Sequence, residues 1–169
     1  MTRNVATAAA LALAIVAFGA PAEAKDQKAF IREAIQGNLA EIEMGKLAQR
    51  RSTNEGVKSL GRMLVEDHSA ANQRAQAVAQ QLHVSPPSKP SLKQRATYGA
   101  QSILRGTSFD RRFVNHMVLD HQKDIAAYRA QAQTGMEPTA GIAKQTLPTL
   151  QKHLATAKSL QTNATAQKH

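Results

Sequence analysis

Apolar side chains recur every three or four residues along four stretches of the chain, which is the period of an amphipathic α-helix. The first stretch runs from Asp26 to Arg51, and the second runs from about Thr53 to His83. The third runs from Ser108 to about Gln133, and the fourth begins at Glu137-Pro138 and ends near Thr162. Alternating apolar and polar runs typical of half-buried strands are missing from the sequence. The pattern therefore predicts an all-α protein.

The segments between these helices contain residues that end or cap helices. Ser85 to Pro90 contains three prolines, so it should be an exposed crossover between the second and third long helices. The segment from Ser91 to Leu104 has a weaker helical pattern and can form a short extra helix, which Gly106 should end. Ser108 is then the expected N-cap of the third long helix. These signals predict a four-helix bundle of the ferritin-like kind, with room for one short extra helix.

Glycine and proline also mark positions inside the long helices and at their ends. Gly37-Asn38 has low helix propensity, which makes it a weak spot where the first helix can bend or break. Pro148 has no amide hydrogen to donate, so the fourth helix should kink. Gly135 should close the third long helix.

The first 24 residues have the pattern of an export signal. A cationic start at Arg3 precedes an apolar run from Val5 to Phe18, which is too short to span a bilayer, and Ala22 and Ala24 suit signal peptidase. The alternatives, a retained anchor or a buried helix, fit poorly with the polar residues that follow. We predict a signal peptide over residues 1–24, a helical bundle over 25–163 and a frayed tail over 164–169. The expected location is the periplasm or the outer membrane surface, with no transmembrane segment after cleavage.

Composition limits the chemistry. The chain has no cysteine, so its stability must come from a packed core or a bound ion. Its formal net charge of +10 favours anionic envelope polymers or lipids as partners. Aromatic residues make up only 4%, which leaves no stacking surface for specific nucleic acid. Without cysteine or a Gly-x-Ser-x-Gly motif, no catalytic nucleophile stands out, and a non-catalytic role is expected.

Ionisable residues occupy positions where the helical pattern expects core residues. His68, His121 and His153 fall within the apolar stripes of the second, third and fourth long helices. On the first helix, Glu41 and Glu43 flank the apolar face, so either can turn inward. One such histidine alone would be more often a structural residue bonded to a neighbour. Three such histidines on separate helices indicate that the rings either hydrogen-bond to one another or hold a metal ion, because an unpaired buried ionisable group is costly.

Neutral imidazoles with one carboxylate suit Zn, Fe, Cu or Mn. Asp67, Asp120 and Asp124 are candidate hydrogen-bond acceptors that would orient the imidazoles, or alternative ligands. The sequence lacks Glu-x-x-His, which disfavours the dinuclear carboxylate site of ferritin-type bundles. Three other histidines lie off the stripes or at the tail and are expected at the surface: His83, His116 and His169.

At these positions the sequence resembles a known family. The motifs run from Ala40 to Ala48, from Met63 to His68, from Phe109 through Val114 to His121, and from Leu147 to His153. Together they span about residues 30–160 and resemble the bacterial envelope proteins called domain of unknown function 4142, often labelled outer membrane proteins. The resemblance implies a ferritin-like helical bundle and favours Glu41 over Glu43 as the acidic position. It implies no reaction.

Three functions are compatible with the sequence. The first is an exported bundle that binds one transition-metal ion through Glu41, His68, His121 and His153, for storage, buffering or stress protection. The second is a basic envelope protein that binds acidic polymers or membrane surfaces, its buried histidines being purely structural. The third is a ferritin-like metal oxidoreductase. We favour the first, and the sequence does not indicate an oligomeric state.

Overall fold

The computed structural model describes residues 25–166, with side chains to Asn163. These residues form five helices and no strand, which confirms the predicted all-α class. The signal peptide predicted for residues 1–24 lies outside the described residues. None of the described helices has the length and apolarity needed to cross a membrane. The helices are α1 (Gln27–Arg51), α2 (Glu55–Gln81), α3 (Leu92–Ser102), α4 (Gly106–Thr134) and α5 (Thr139–Ala166).

The long helices form two pairs. α1 packs mainly against α2, and α4 packs mainly against α5. Each pair is joined by a connection of only a few residues, so its helices run antiparallel. Contacts between α2 and α5 and between α1 and α4 join the two pairs into one bundle. The short helix α3 follows the proline-rich crossover and contacts α1 and α4, as an addition to the four long helices.

Local sequence signals explain most helix starts. Asp26 caps α1 by accepting hydrogen bonds from two first-turn amides, and Asn54 caps α2 through the amide of Val57. Ser91 and Gln94 form a capping box at the start of α3. These side chains satisfy amides that have no partner inside the helix. Gly135 is the C-cap of α4, as predicted.

Two local predictions, at Gly106 and Ser108, were wrong, and the first helix does not break at Gly37. α4 begins at Gly106, whose φ of +54° suits glycine, so Gly106 does not end α3 and Ser108 is not an N-cap. Arg105 takes the N-cap position without a side-chain cap. α1 continues unbroken through Gly37, because Ile35 and Met44 on either side are buried and their packing outweighs about 1 kcal/mol of helix propensity.

Helix α5 also continues as one helix through Pro148. Its backbone is helical to Ala166, beyond the predicted end near Thr162, and residues 167–169 of the predicted tail lie outside the described part. Pro138 lies immediately before α5, whereas the sequence pattern placed it at the start of that helix.

Two apolar clusters fill the bundle at different levels along its axis. One contains Leu60, Leu64, Phe109, Phe113 and Met117 with their neighbours. The other contains residues from the opposite ends of the long helices: Phe30, Ile31, Ile35, Ala75, Ala79, Val84, Ile142 and Ala143. Between the two clusters, every long helix contributes a buried polar residue: Asn38 and Glu41 from α1, His68 from α2, His121 from α4 and His153 from α5. A polar layer therefore interrupts the apolar core at one level.

Candidate metal centre

Three histidine rings meet in the polar layer. His68, His121 and His153 are 4%, 2% and 1% exposed. Their ring centroids lie 5.9 Å apart for His68 and His121, 5.2 Å for His68 and His153, and 5.3 Å for His121 and His153. One nitrogen of each ring lies within 4.8 Å of a nitrogen of the other two. The rings predicted on three separate apolar stripes thus converge on one space.

Hydrogen bonds orient two of these rings from outside the shared space. Nδ1 of His121 donates to the backbone carbonyl of Met117 at 3.0 Å, one turn earlier on α4. Nδ1 of His68 lies 2.9 Å from Oδ1 of Asn38 on α1 and donates to it. With the hydrogen on Nδ1, Nε2 of each ring carries a lone pair. Nε2 of His68 has no hydrogen-bond partner among the described residues.

The third ring is oriented in the opposite sense. Nε2 of His153 donates to Oδ2 of Asp67 at 2.9 Å, so Nδ1 of the neutral ring carries the lone pair. This Nδ1 lies 3.2 Å from Nε2 of His121, whose hydrogen is on the other nitrogen. Two lone pairs therefore face each other. Nitrogen ligands bound tetrahedrally about 2.0–2.1 Å from a zinc ion would be about 3.3 Å apart, which matches this spacing.

The electrostatics keep the rings neutral at pH 7. Burial lowers the pKa of His68 well below its ordinary value, and repulsion from His121 and His153 lowers it further. Burial and the nearby His153 lower the pKa of His121 to about 4. Burial also lowers the pKa of His153, although Asp67 opposes this effect. Neutral imidazoles are the form that binds metal ions, and no ring proton is available to bridge the facing nitrogens of His121 and His153.

We expect the ring of His121 to stay neutral in the metal-free protein at about pH 6 and to titrate only near pH 4. The folded pKa lies below the unfolded value, so this group's contribution to stability is present above about pH 6.5 and is lost as pH falls toward 4. Long-range ¹H–¹⁵N NMR of the imidazoles measures both charge and tautomer. A charged ring at about pH 6, or a hydrogen on Nε2, would contradict the described hydrogen bonding.

A second polar cluster lies beside the histidines. Glu41 on α1 is 2% exposed, and its carboxylate lies within 4.8 Å of ligand atoms of His116 and Asp120 on α4. The structure therefore divides the ligand set predicted from the sequence, because the three histidines form one group and Glu41 belongs to another. Glu43 is exposed, so of the two candidate glutamates Glu41 is the one that turns inward.

The expectation that His116 is a surface residue was wrong. Its side chain is partly buried, and burial lowers its pKa. His116, Asp120 and Asp124 follow one another at four-residue intervals, which places them on one face of α4. That spacing was the signal in the sequence. It was missed because this face is adjacent to the apolar stripe rather than within it.

The carboxylates of this second cluster are strongly perturbed. Burial raises the pKa of Glu41 well above its ordinary value, and the nearby Asp120 and Asp124 raise it further. Burial and Asp120 raise the pKa of Asp124 to about 7. Oε2 of Glu41 has no hydrogen-bond partner within residues 25–166. The carboxyl groups of Glu41 and Asp124 therefore keep their protons at pH values where isolated carboxylates are ionised, unless a cation takes the place of those protons.

A cavity of about 630 Å³ connects the two clusters. Glu41, His116, Asp120 and Asp124 line it, together with His68 from the histidine group. Part of its wall comes from the start of α3, where the N-cap Ser91 and the helical residues Gln94 and Thr97 line the same space. The cavity therefore reaches the carboxylate cluster and His68 of the histidine group.

The fold and the polar layer together define a class of protein: a helical bundle with a buried three-histidine cluster beside a carboxylate-rich cavity. The chain belongs to the family described as domain of unknown function 4142, whose model matches residues 14–160. Its structure is similar to the crystal structure of a DUF305 fragment from Deinococcus radiodurans, with a TM-score of 0.70 and 17% sequence identity. That match covers 84% of this chain and 99% of the other and shows a shared fold alone. None of the curated proteins compared with the chain matches it.

Proposed function

We propose that this protein is an exported, non-catalytic bundle of the ferritin-like kind that holds one transition-metal ion through His68, His121 and His153. One observation carries the proposal. Each ring donates its outer N–H to an acceptor in the bundle, so that three lone-pair nitrogens point into one space. Metal-bound histidines in proteins are oriented by the same kind of hydrogen bond. Glu41, part of the ligand set predicted from the sequence, is left out of this site.

The donor set indicates which ions suit the site. Three neutral imidazoles without a thiolate favour Zn²⁺, Cu²⁺ or Fe²⁺ over hard ions such as Mg²⁺. Three protein ligands leave a fourth position for water or another small ligand. His68 lines the cavity, so that position has a path by which the ion enters and leaves. An exchangeable ion in a rigid frame suits storage or buffering.

The location in the cell envelope follows from the signal peptide predicted at residues 1–24, with release into the periplasm or association with the outer membrane. The net charge of +10 separately favours association with anionic envelope polymers or lipids. Neither expectation is required for the three histidines to bind an ion.

Metal addition tests the proposal directly. Zn²⁺ at about 100 times its dissociation constant should stabilise the folded protein by about 2.7 kcal/mol, because the ion binds the assembled site in preference to the unfolded chain. For a domain of this size the melting temperature should rise by about 10 °C and fall again on adding a chelator. Calorimetry of the protein without a histidine tag measures the change. Melting temperatures unaffected by Zn²⁺, Cu²⁺ and Fe²⁺ would rule the site out.

The geometry around the ion can be measured separately. Co²⁺ in place of Zn²⁺ should give the intense visible absorption of a tetrahedral centre, since three nitrogens and one water form that geometry. A weak octahedral spectrum would mean that Co²⁺ binds to other residues.

A further inference from the structure

The second cluster has the features of a binding site in its own right. His116 and Asp120 are one turn apart on α4, so their side chains project side by side toward α1. Glu41 projects from α1, and all three ligand atoms lie within 4.8 Å of one another. Two rigid helices therefore hold two carboxylates and one imidazole together without any loop.

The buried carboxyl group of Glu41 needs a proton or a cation to balance its charge. Its side chain is 2% exposed, and Oε2 has no partner among the described residues although it lies inside the bundle. Asp120 is close by and has the same charge, so it cannot stabilise an ionised Glu41. A buried carboxylate next to another carboxylate is costly unless a proton or a cation lies between them.

We infer that Glu41, His116 and Asp120 form a second divalent-cation site, distinct from the three-histidine site and selective for harder ions such as Mn²⁺. Two carboxylates and one imidazole are a harder donor set than three imidazoles, which separates the preferences of the two sites. The cavity that Glu41, His116 and Asp120 line brings hydrated ions to them. Asp124, one turn further along α4, lines the same cavity and adds negative charge. The protein would then hold two different ions at one level of the bundle.

Mn²⁺ is the probe for this site, because the electron paramagnetic resonance signal of the free aqua ion measures the concentration of unbound Mn²⁺. Titration of the metal-free protein should reveal one bound Mn²⁺ per chain. Glu41→Gln and His116→Gln should each weaken that binding about tenfold or more, whereas Glu43→Gln, an exposed glutamate on the same helix, should leave it within about twofold.

Two measurements exclude trivial explanations. Glu41→Gln replaces a buried carboxyl group with a neutral amide of the same shape, so the metal-free variant should melt near or above the temperature of the parent protein, and lost Mn²⁺ binding cannot then be attributed to unfolding. His121→Ala should bind Mn²⁺ normally, even though it removes a ligand of the other site. The inference would thus survive failure of the three-histidine proposal.

Three results would overturn the inference. The first is absence of Mn²⁺ binding by the parent protein, which would mean that Glu41 shares a proton with Asp120 in place of a cation. The second is equal Mn²⁺ binding by the parent, Glu41→Gln and His116→Gln. The third is loss of Mn²⁺ from His121→Ala, which would mean that both clusters form one shared site.

Discussion

Replacing His121 with alanine should lower the affinity of the protein for Zn²⁺ by about a hundredfold or more. The substitution removes one of the three inward-facing nitrogens, the one that lies 3.2 Å from Nδ1 of His153. His68→Gln should have a similar effect, because the Nε2 of His68 that faces the shared space is lost. Competition against a chromophoric chelator measures the affinity.

A matched control is available on the same chain. His83 is exposed in the turn after α2, where its φ is +52°. Asparagine tolerates that backbone conformation, so His83→Asn removes a histidine without straining the turn. Zn²⁺ affinity should be unchanged in this variant. Equal losses in His83→Asn and His121→Ala, or full retention in both His121→Ala and His68→Gln, would contradict the ligand assignment.

The second large effect concerns the contact between α1 and α2. A Cβ atom added at Gly45 would lie 2.5 Å from the carbonyl oxygen of Gly61, and one added at Gly61 would lie 2.7 Å from the carbonyl oxygen of Gly45. These are backbone atoms, so the helices themselves must move apart. Gly45→Ala should therefore lower the free energy of unfolding by about 2–3 kcal/mol, as measured by urea denaturation.

Gly37→Ala is the control, because it makes the same chemical change in the same helix. A Cβ at Gly37 would meet nothing within 4 Å. Alanine there should raise the free energy of unfolding by about 0.5–1 kcal/mol, because it has the better helix propensity and a less flexible unfolded state. If both substitutions destabilised the protein equally, the close approach of the two backbones would not be the cause.

The same helix contact positions the candidate metal centre. Asn38 lies seven residues before Gly45, and His68 lies seven residues after Gly61, so both are two turns from the contact along antiparallel helices. Their hydrogen bond of 2.9 Å depends on the spacing set by the two glycines. The close approach of the helices at Gly45 and Gly61 thus allows the hydrogen bond between Asn38 and His68 two turns away.

The polar layer weakens the core that it interrupts. Each buried polar group left without a partner costs about 1–3 kcal/mol, and Nε2 of His68 and Oε2 of Glu41 are such atoms in the layer. Apolar residues of similar volume at these positions would join the two hydrophobic clusters into one. Perturbed ionisable groups gathered beside a cavity are typical of functional sites, which is why we propose that this layer serves ion binding rather than stability.

The sequence alone determined the helical class and most of the element boundaries. Periodicity located the long helices, and polar caps such as Asn54 marked their starts, because both depend on neighbours within a few residues. Periodicity also placed His68, His121 and His153 toward the core. Local signals failed at Gly37 and Ser108, where packing or the unusual backbone of Gly106 outweighed propensity.

Only the tertiary structure decided which inward-facing residues meet. Helical periodicity gives the direction of a side chain around its own helix, but it does not give the axial level at which that helix lies against another. That level depends on contacts between distant residues, such as Gly45 with Gly61. It places Glu41 opposite His116 and Asp120 on α4, and it leaves the three histidines as a separate group. The choice of ring nitrogen facing inward was likewise set by acceptors from other parts of the chain, such as Asp67.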